Sequence, residues 1–429
     1  MDVALPFVTL LVALLLGMPI AFSLATAGIL GIWLVKGDWN LVLVVLRAVP
    51  FNAVGDYNLS TVPMFILMAY LSSSAGLARD LYTAAANLLS NIRGGLAIAT
   101  VFACGIFGAM SGASVAAAAA MSNIAVSNMR RFGYSDVLAA GSVGVGATLD
   151  ILIPPSVPMV IYGICTQTSI GQLLVAGVVP GIILGIFLAL SIYVWVILSP
   201  SHAPTVHRVP WDERFRSLYR IWPSLLLILV VLTLLYKGIA TPTEVGALGA
   251  FMAAVIGVAM KRLTWSGALE ALKGTISTSA MIFMIFMGAN IFGYYVTMSK
   301  IPQQVVAFIM ELGLNRWVVV VGIIVGYFVI SMFMDEIPLL LLTLPLSFPM
   351  ITSLGFDPIW FGVLSMMMIA MGLIFPPVGM IAFVVSATAN VPLGKVYRGT
   401  SVLLIAIVLA TAVLMVFPET ALWLPSRMR

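Results

Sequence analysis

Apolar runs of roughly 17–30 residues follow one another along this 429-residue sequence, and roughly 20 helical residues cross a bilayer. No other feature constrains the fold as much. Of all residues 62% are hydrophobic and only 8% charged, with a mean hydropathy of +1.16. Water does not tolerate such a surface, whereas lipid does. Segments that alternate apolar and polar residues are missing, which argues against a membrane β-barrel. The chain therefore reads as an all-α polytopic membrane protein whose surroundings are the lipid bilayer. Residues 3–16 read as a retained transmembrane helix. A cleaved signal would need a basic start and a small-residue cleavage site, and no Lys or Arg precedes Lys36.

One segment is polar: "SPSHAPTVHRVPWDERFRSLYR", Ser199 to Arg220. It separates 1–198 from 221–429, and the two parts echo each other at offsets of 218–223 residues. "PIAFSLATAGILG" (Pro19) aligns with "PTEVGALGAFMAA" (Pro242), "MFILMAYLSSSAGL" (Met64) with "FMIFMGANIFGYYV" (Phe283), "GAMSGASVAAA" (Gly108) with "GYFVISMFMDE" (Gly326), and "ILIPPSVPM" (Ile151) with "GLIFPPVGM" (Gly372). With the linker in the cytoplasm and five crossings per half, thirteen of the 20 Lys and Arg lie inside, Arg93, Arg130, Arg131, Arg208 and Lys395 among them. Lys36, Arg47, Lys300, Arg316 and Arg429 are among those outside, a modest positive-inside bias. An odd number of crossings inverts the second repeat. Trp33, Trp39, Trp222, Trp265 and Trp317 fall near expected helix ends, as an interfacial belt requires. "DWNLVLVVLRAVPF" and "TWSGALEALKGT" read as short interfacial helices.

Two windows are too long for one crossing. Gly95–Met129 spans 35 residues with basic residues at both ends, against about 20 needed for a 30 Å layer. A re-entrant hairpin at 95–129 fits, with Ser111, Gly112, Ala113 and Ser114 at its tip. A second hairpin at 317–351 has its tip near "MFMDEIPL", which carries Asp335. Turns at membrane depth expose backbone groups only where protein or water surrounds them. Serine hydroxyls and free carbonyls there are hard oxygen donors of the kind Na⁺ takes. A small-residue packing seam is the plainer reading of the first tip.

Each half also carries a proline-broken helix, at 137–165 and 358–390. Pro154-Pro155 and Pro376-Pro377 lack N–H groups, so carbonyls one turn earlier lose their partners. Broken helices at matching positions point to a transporter's binding site. The candidates are Thr148, Asp150, Pro154, Pro155 and Ser156 in the first break, Gly372, Pro376 and Pro377 in the second, and Asn290 as a pocket lining. Of four acids within or beside apolar windows (Asp150, Glu244, Asp335, Glu336), Asp335 suits a cation or a proton. Glu244 instead suits the first turn of a helix capped by Thr241 or Thr243. Gly177, Gly181 and Gly185 form a small-residue packing stripe.

Other chemistry finds no support. Cys104 and Cys165 lie in apolar windows, and His202 and His207 share the linker without zinc spacing. Walker A and HExxH motifs are absent. The net charge of +5 suits an anionic membrane surface and not nucleic acid.

"SGASVAAAAAM", "ATLDILIPPS", "ATPTEVGALGA" and "LGFDPIWFGVLSMMMIAMGLIFPPVGM" resemble the signature segments of the large membrane subunit of tripartite ATP-independent periplasmic (TRAP) transporters, and the likeness covers essentially the whole chain. The resemblance implies a non-enzymatic secondary importer of organic acids such as C4-dicarboxylates in the bacterial inner membrane. Na⁺ would be the coupling ion, and there would be no cofactor. It implies two partners, a periplasmic substrate-binding protein and a small four-helix membrane subunit. It further implies inverted repeats divided into a scaffold and an elevator-type transport domain. Carried over by position, Ser111, Gly112, Ser114, Thr148, Pro154, Pro155, Ser156, Asp335, Gly372, Pro376 and Pro377 fall in the regions that build the family's Na⁺ and substrate sites, with Na⁺ placed near Ser111, Ser114 and Asp335. One departure stands out: the family's form is "TLGILIPPS", and this chain has Asp150 in place of that glycine. A stand-alone organic-anion symporter is the competing expectation. An intramembrane enzyme would need a nucleophile–base or metal constellation, whereas both histidines lie in the linker, and a passive channel would need no inverted repeat with two proline-broken segments.

Overall fold

The computed structural model describes residues 4–112, 114–203, 209–311 and 313–428. Ala113, His207, Arg208 and Arg429 lie outside them. Among the described residues every regular element is helical. Large apolar side chains point outward all round the molecule, Leu11, Phe22, Leu190, Phe251 and Ile405 among them. Exposure of that kind suits lipid contact.

Among the described residues five helices are long and apolar enough to cross a membrane alone, or up to seven spans if each of two bent pairs counts as one, against the ten crossings expected. The other apolar helices are shorter. Glycine and proline interrupt the apolar runs, and helices of 10–17 residues result. Near the start of the chain, Phe7 on Ala4–Leu15 packs edge-on against Phe292 at 5.4 Å. A second expectation is corrected. "TWSGALEALKGT" is not a separate interfacial helix but the start of the 34-residue helix Trp265–Met298. Thr264 caps that start by accepting from Gly267 N (3.1 Å), and no proline stops it before Met298.

Two helical groups make the body. In one, Ile20–Lys36, Trp39–Val54 and Thr61–Ser74 pack on Trp265–Met298, and Thr61–Ser74 also packs on Pro242–Ala259. Thr61 and Thr243 share a buried hydroxyl–hydroxyl bond of 2.6 Å across that second contact. The start of Pro242–Ala259 is a capping box. Thr241 Oγ1 accepts from Glu244 N (3.3 Å), while Glu244 Oε2 accepts from Thr241 N (2.7 Å). Glu244 therefore serves its helix end, as the sequence reading favoured.

The other group holds the hairpins and broken helices. Gly95–Ser111 turns at Gly112, with φ of 60°, into Ser114–Met121. Arg316–Ser331 turns into Glu336–Ser353. Asp136–Ala147 leads through the short turn Thr148–Ile151 and the first break to Val157–Thr166. Pro358–Gly372 leads through the second break to Met380–Ala389. Both proline pairs are joined by cis peptides. At one end Arg130 donates to Asp136 (2.7 Å) and to the carbonyls of Ala389 (3.0 Å) and Asn390 (3.3 Å), and Lys395 donates to Asp136 (3.0 Å). The Arg130 guanidinium thus joins the end of the first hairpin to the end of the second broken helix, and the Asp136 carboxylate joins both to Lys395 in Leu393–Val416.

Close helix approach in the first group depends on Gly288, where an added Cβ would sit 2.2 Å from the Ala21 carbonyl oxygen. Gly288→Ala should destabilise the protein by about 1–3 kcal/mol. Gly326→Ala, where nothing lies within 4 Å, should be neutral or stabilise by up to about 1 kcal/mol. Unfolding of both variants in mixed micelles checks this, and equal effects would contradict the tight crossing.

Candidate functional site between hairpin tips and helix breaks

Each hairpin tip is hydrogen-bonded to the broken helix of its own half. Gly112 O accepts from Val157 N (3.4 Å), and Met332 O accepts from Gly379 N (2.9 Å). The tips also meet each other. Ser114 Oγ, at the start of the first hairpin's returning arm, donates to Asp150 Oδ1 (2.6 Å) and lies 3.4 Å from Glu336 Oε1. A hydroxyl of the first hairpin thus bridges carboxylates from the first break and the second hairpin. Asp150 fits only because residue 108 is glycine: a Cβ there would stand 2.0 Å from Asp150 Cβ. The Gly177 stripe packs behind the same break, with the missing Gly177 Cβ facing Leu152 O at 2.0 Å.

Several buried oxygens here have no partner among the described residues: Ser111 Oγ, Asp150 Oδ2, Ser156 Oγ and Glu336 Oε2. All four residues are at most 3% exposed. An unpartnered buried oxygen is costly, a carboxylate oxygen more so. No Lys or Arg occurs in either tip or either break. The arrangement is an acceptor cluster suited to a small hard cation.

The other predicted residues take more local roles. Thr148 Oγ1 donates to Val145 O (2.7 Å). Asp335 caps Glu336–Ser353, its Oδ1 accepting from Glu336 N (3.0 Å). The second break is closed by its neighbours. Tyr397 Oη donates to Val378 O (2.6 Å) and Pro377 O (3.1 Å), and Thr400 Oγ1 to Ile374 O (3.0 Å). Gly372 lets Ser331 approach, since a Cβ would sit 1.8 Å from its Oγ. Asn290 lines a separate cavity of about 620 Å³ between Trp265–Met298 and Glu336–Ser353.

Sequence reasoning named Glu336 as an acid but passed it over as a site residue. The signal was present: Asp335 is a good N-cap and Pro338 suits a first turn. That pattern commits Asp335 to the backbone and turns Glu336 toward the facing hairpin.

The Gly108–Asp150 contact predicts a coupled pair. Gly108→Ala should cost about 1–3 kcal/mol, and much of that cost should vanish in a background of Asp150→Gly. A double-mutant cycle on unfolding reads the coupling, and strict additivity would refute the contact.

Residues 7–420 match the family described as "Tripartite ATP-independent periplasmic transporter, DctM component". The C4-dicarboxylate TRAP transporter large permease protein DctM of Pseudomonas aeruginosa is 35% identical, with 88% of each chain covered. The ectoine TRAP transporter large permease protein TeaC of Halomonas elongata is 32% identical, with 97% of each covered. Among solved structures, the YdaH transporter of Alcanivorax borkumensis shares the fold, with a TM-score of 0.67 at 15% identity, covering 90% of this chain and 89% of that one. The chain is a multi-pass membrane protein of the TRAP transporter family, and within that family it belongs to the large permease (DctM) subunits.

Proposed function

We propose that this chain is the translocation subunit of a secondary importer that carries an organic acid across the bacterial inner membrane together with Na⁺. Substrate arrives from a periplasmic binding protein, and a small four-helix membrane subunit works beside the chain. Relatives named for C4-dicarboxylates, sialic acid, ectoine and 2,3-diketo-L-gulonate support the class of cargo. One observation carries the ion-coupling reading: Ser114 brings Asp150 of the first break and Glu336 of the second hairpin to one hydroxyl, and each carboxylate keeps a buried, unpartnered oxygen, as do the hydroxyls of Ser111 at the first tip and Ser156 in the first break.

In this reading Na⁺ is cargo. It is held by Ser111, Ser156, Asp150 and Glu336, with Ser114 bridging the two carboxylates and Asp335 fixing the end of the helix that carries Glu336. Ion binding draws together elements from both halves. The hairpins and broken helices then move as one body against the group built on Trp265–Met298, in the manner of an elevator. The cavity beside Asn290 lies on that boundary and receives the substrate.

Uptake by proteoliposomes holding the chain, its small partner and the binding protein tests this, with an inward Na⁺ gradient compared against a pH gradient alone. Na⁺-driven accumulation that requires the binding protein is the expected result. Ser111→Ala and Ser156→Ala should each raise the half-saturating Na⁺ concentration roughly tenfold, the equivalent of about 1.4 kcal/mol. Thr148→Val should change it less, since that hydroxyl already serves Val145. Uptake driven by pH alone, or serine variants with unchanged Na⁺ dependence, would defeat the ion assignment.

A further inference from the structure

The 620 Å³ cavity is lined by one carboxylate, several neutral polar side chains and no cation. One N–H of Asn290 is spent on Phe286 O (2.8 Å), one of Gln167 on Ile164 O (3.0 Å), and the Thr297 hydroxyl hydrogen on Gly293 O (2.9 Å). Their oxygens are left as acceptors, and each amide keeps a second N–H. The carboxylate is that of Asp56. Its Oδ1 accepts from Asn58 N (2.8 Å), and its second oxygen remains available. The lining contains no Lys, Arg or His.

Backbone fields act in the same sense. The cavity gathers three helix C-terminal ends: Trp39–Val54 through Asn52 and Ala53, Val157–Thr166 through Ile164 and Cys165, and Trp265–Met298 through Tyr294 and Thr297. Helix C-termini carry partial negative charge and favour cations. Opposite them, Leu341, Leu344, Pro345 and Phe348 form an apolar wall. Such a wall strengthens electrostatic preferences by excluding water.

We infer that this cavity receives the cationic end of its substrate, so that the transported organic acid also bears an ammonium or amidinium group and is a zwitterion. The inference rests on the transport reading above and narrows its substrate class. A second carboxylate at this end would face Asp56, three helix C-termini and acceptor oxygens, with no positive side chain to offset the repulsion. An ammonium or amidinium group would donate to the same oxygens through charge-assisted bonds.

The native cysteines supply the test. Cys165 is exposed and lines the cavity, while Cys104 is buried and serves as an internal control. Maleimide alkylation of the full chain in lipid nanodiscs is timed in the presence of short aminocarboxylates and amidinocarboxylates. Each is matched in chain length to a dicarboxylate and to a monocarboxylate. Protection of Cys165 by zwitterionic members is expected. Asp56→Asn, which keeps the cap on Asn58, should raise the half-protecting concentration roughly ten- to a hundredfold. Asp56→Glu should raise it less.

Protection by the dicarboxylates as good or better, protection by Na⁺ alone to the same extent, no protection by any compound, or indifference to Asp56→Asn would each overturn the inference. Na⁺-driven uptake of a dicarboxylate with no zwitterion protection would overturn it and leave the transport reading standing. Zwitterion protection without Na⁺-driven uptake would do the reverse.

Discussion

A helix that ends inside an apolar layer leaves N–H and C=O groups that nothing outside the protein can satisfy. The architecture around the two breaks answers that constraint. At the second break the answer is complete enough to look purely structural: Tyr397 and Thr400, one turn apart on the next helix, donate to the carbonyls of Val378, Pro377 and Ile374, and Met332 takes the N–H of Gly379. At the first break Ser111, Ser156, Asp150 and Glu336 keep buried oxygens without a partner among the described residues. Two halves with the same proline signature thus differ in what they leave unsatisfied, and the proposed Na⁺ coupling builds on that difference.

Much of this was legible in the sequence because local rules decided it. Window length, and for the first also the flanking arginines, pointed to turns near Gly112 and Asp335, where helices do end, and the proline pairs pointed to helix ends at 154–155 and 376–377. The Thr241–Glu244 box followed from capping chemistry alone. Other features depended on distance in space and left no local mark. Nothing near Asp150 in the chain announces that Glu336, from the other half, shares its serine. The negative character of the cavity depends on Asp56 and three helix C-terminal ends, which come together only in space. The short helix misread at Trp265 shows the converse: a good N-cap marks where a helix starts but not how far it runs.

Asp150 also shows how one substitution recruits its surroundings. A carboxylate in place of the family's glycine needs room, a donor and a counter-charge. Gly108 gives the room and Ser114 the donor. No Lys or Arg in the tips or breaks gives the counter-charge, so under the proposed Na⁺ coupling that part falls to the ion, and an ionised cluster without it is costly to hold in a low-dielectric layer.

In the proposed elevator movement, the charge of the moving body links the two sites. With Asp150 and Glu336 ionised, the cluster carries negative charge that bound cations must offset before the body can slide past apolar helices. A dianionic substrate would add two further charges to that load, and the cavity has no basic side chain to meet them. A zwitterion adds none. Its cationic end answers Asp56 and the helix C-termini locally, so the number of coupling ions is set by the protein's own carboxylates. An acceptor-lined cavity and an acid-bearing ion cluster are, on this argument, two parts of one electroneutral design.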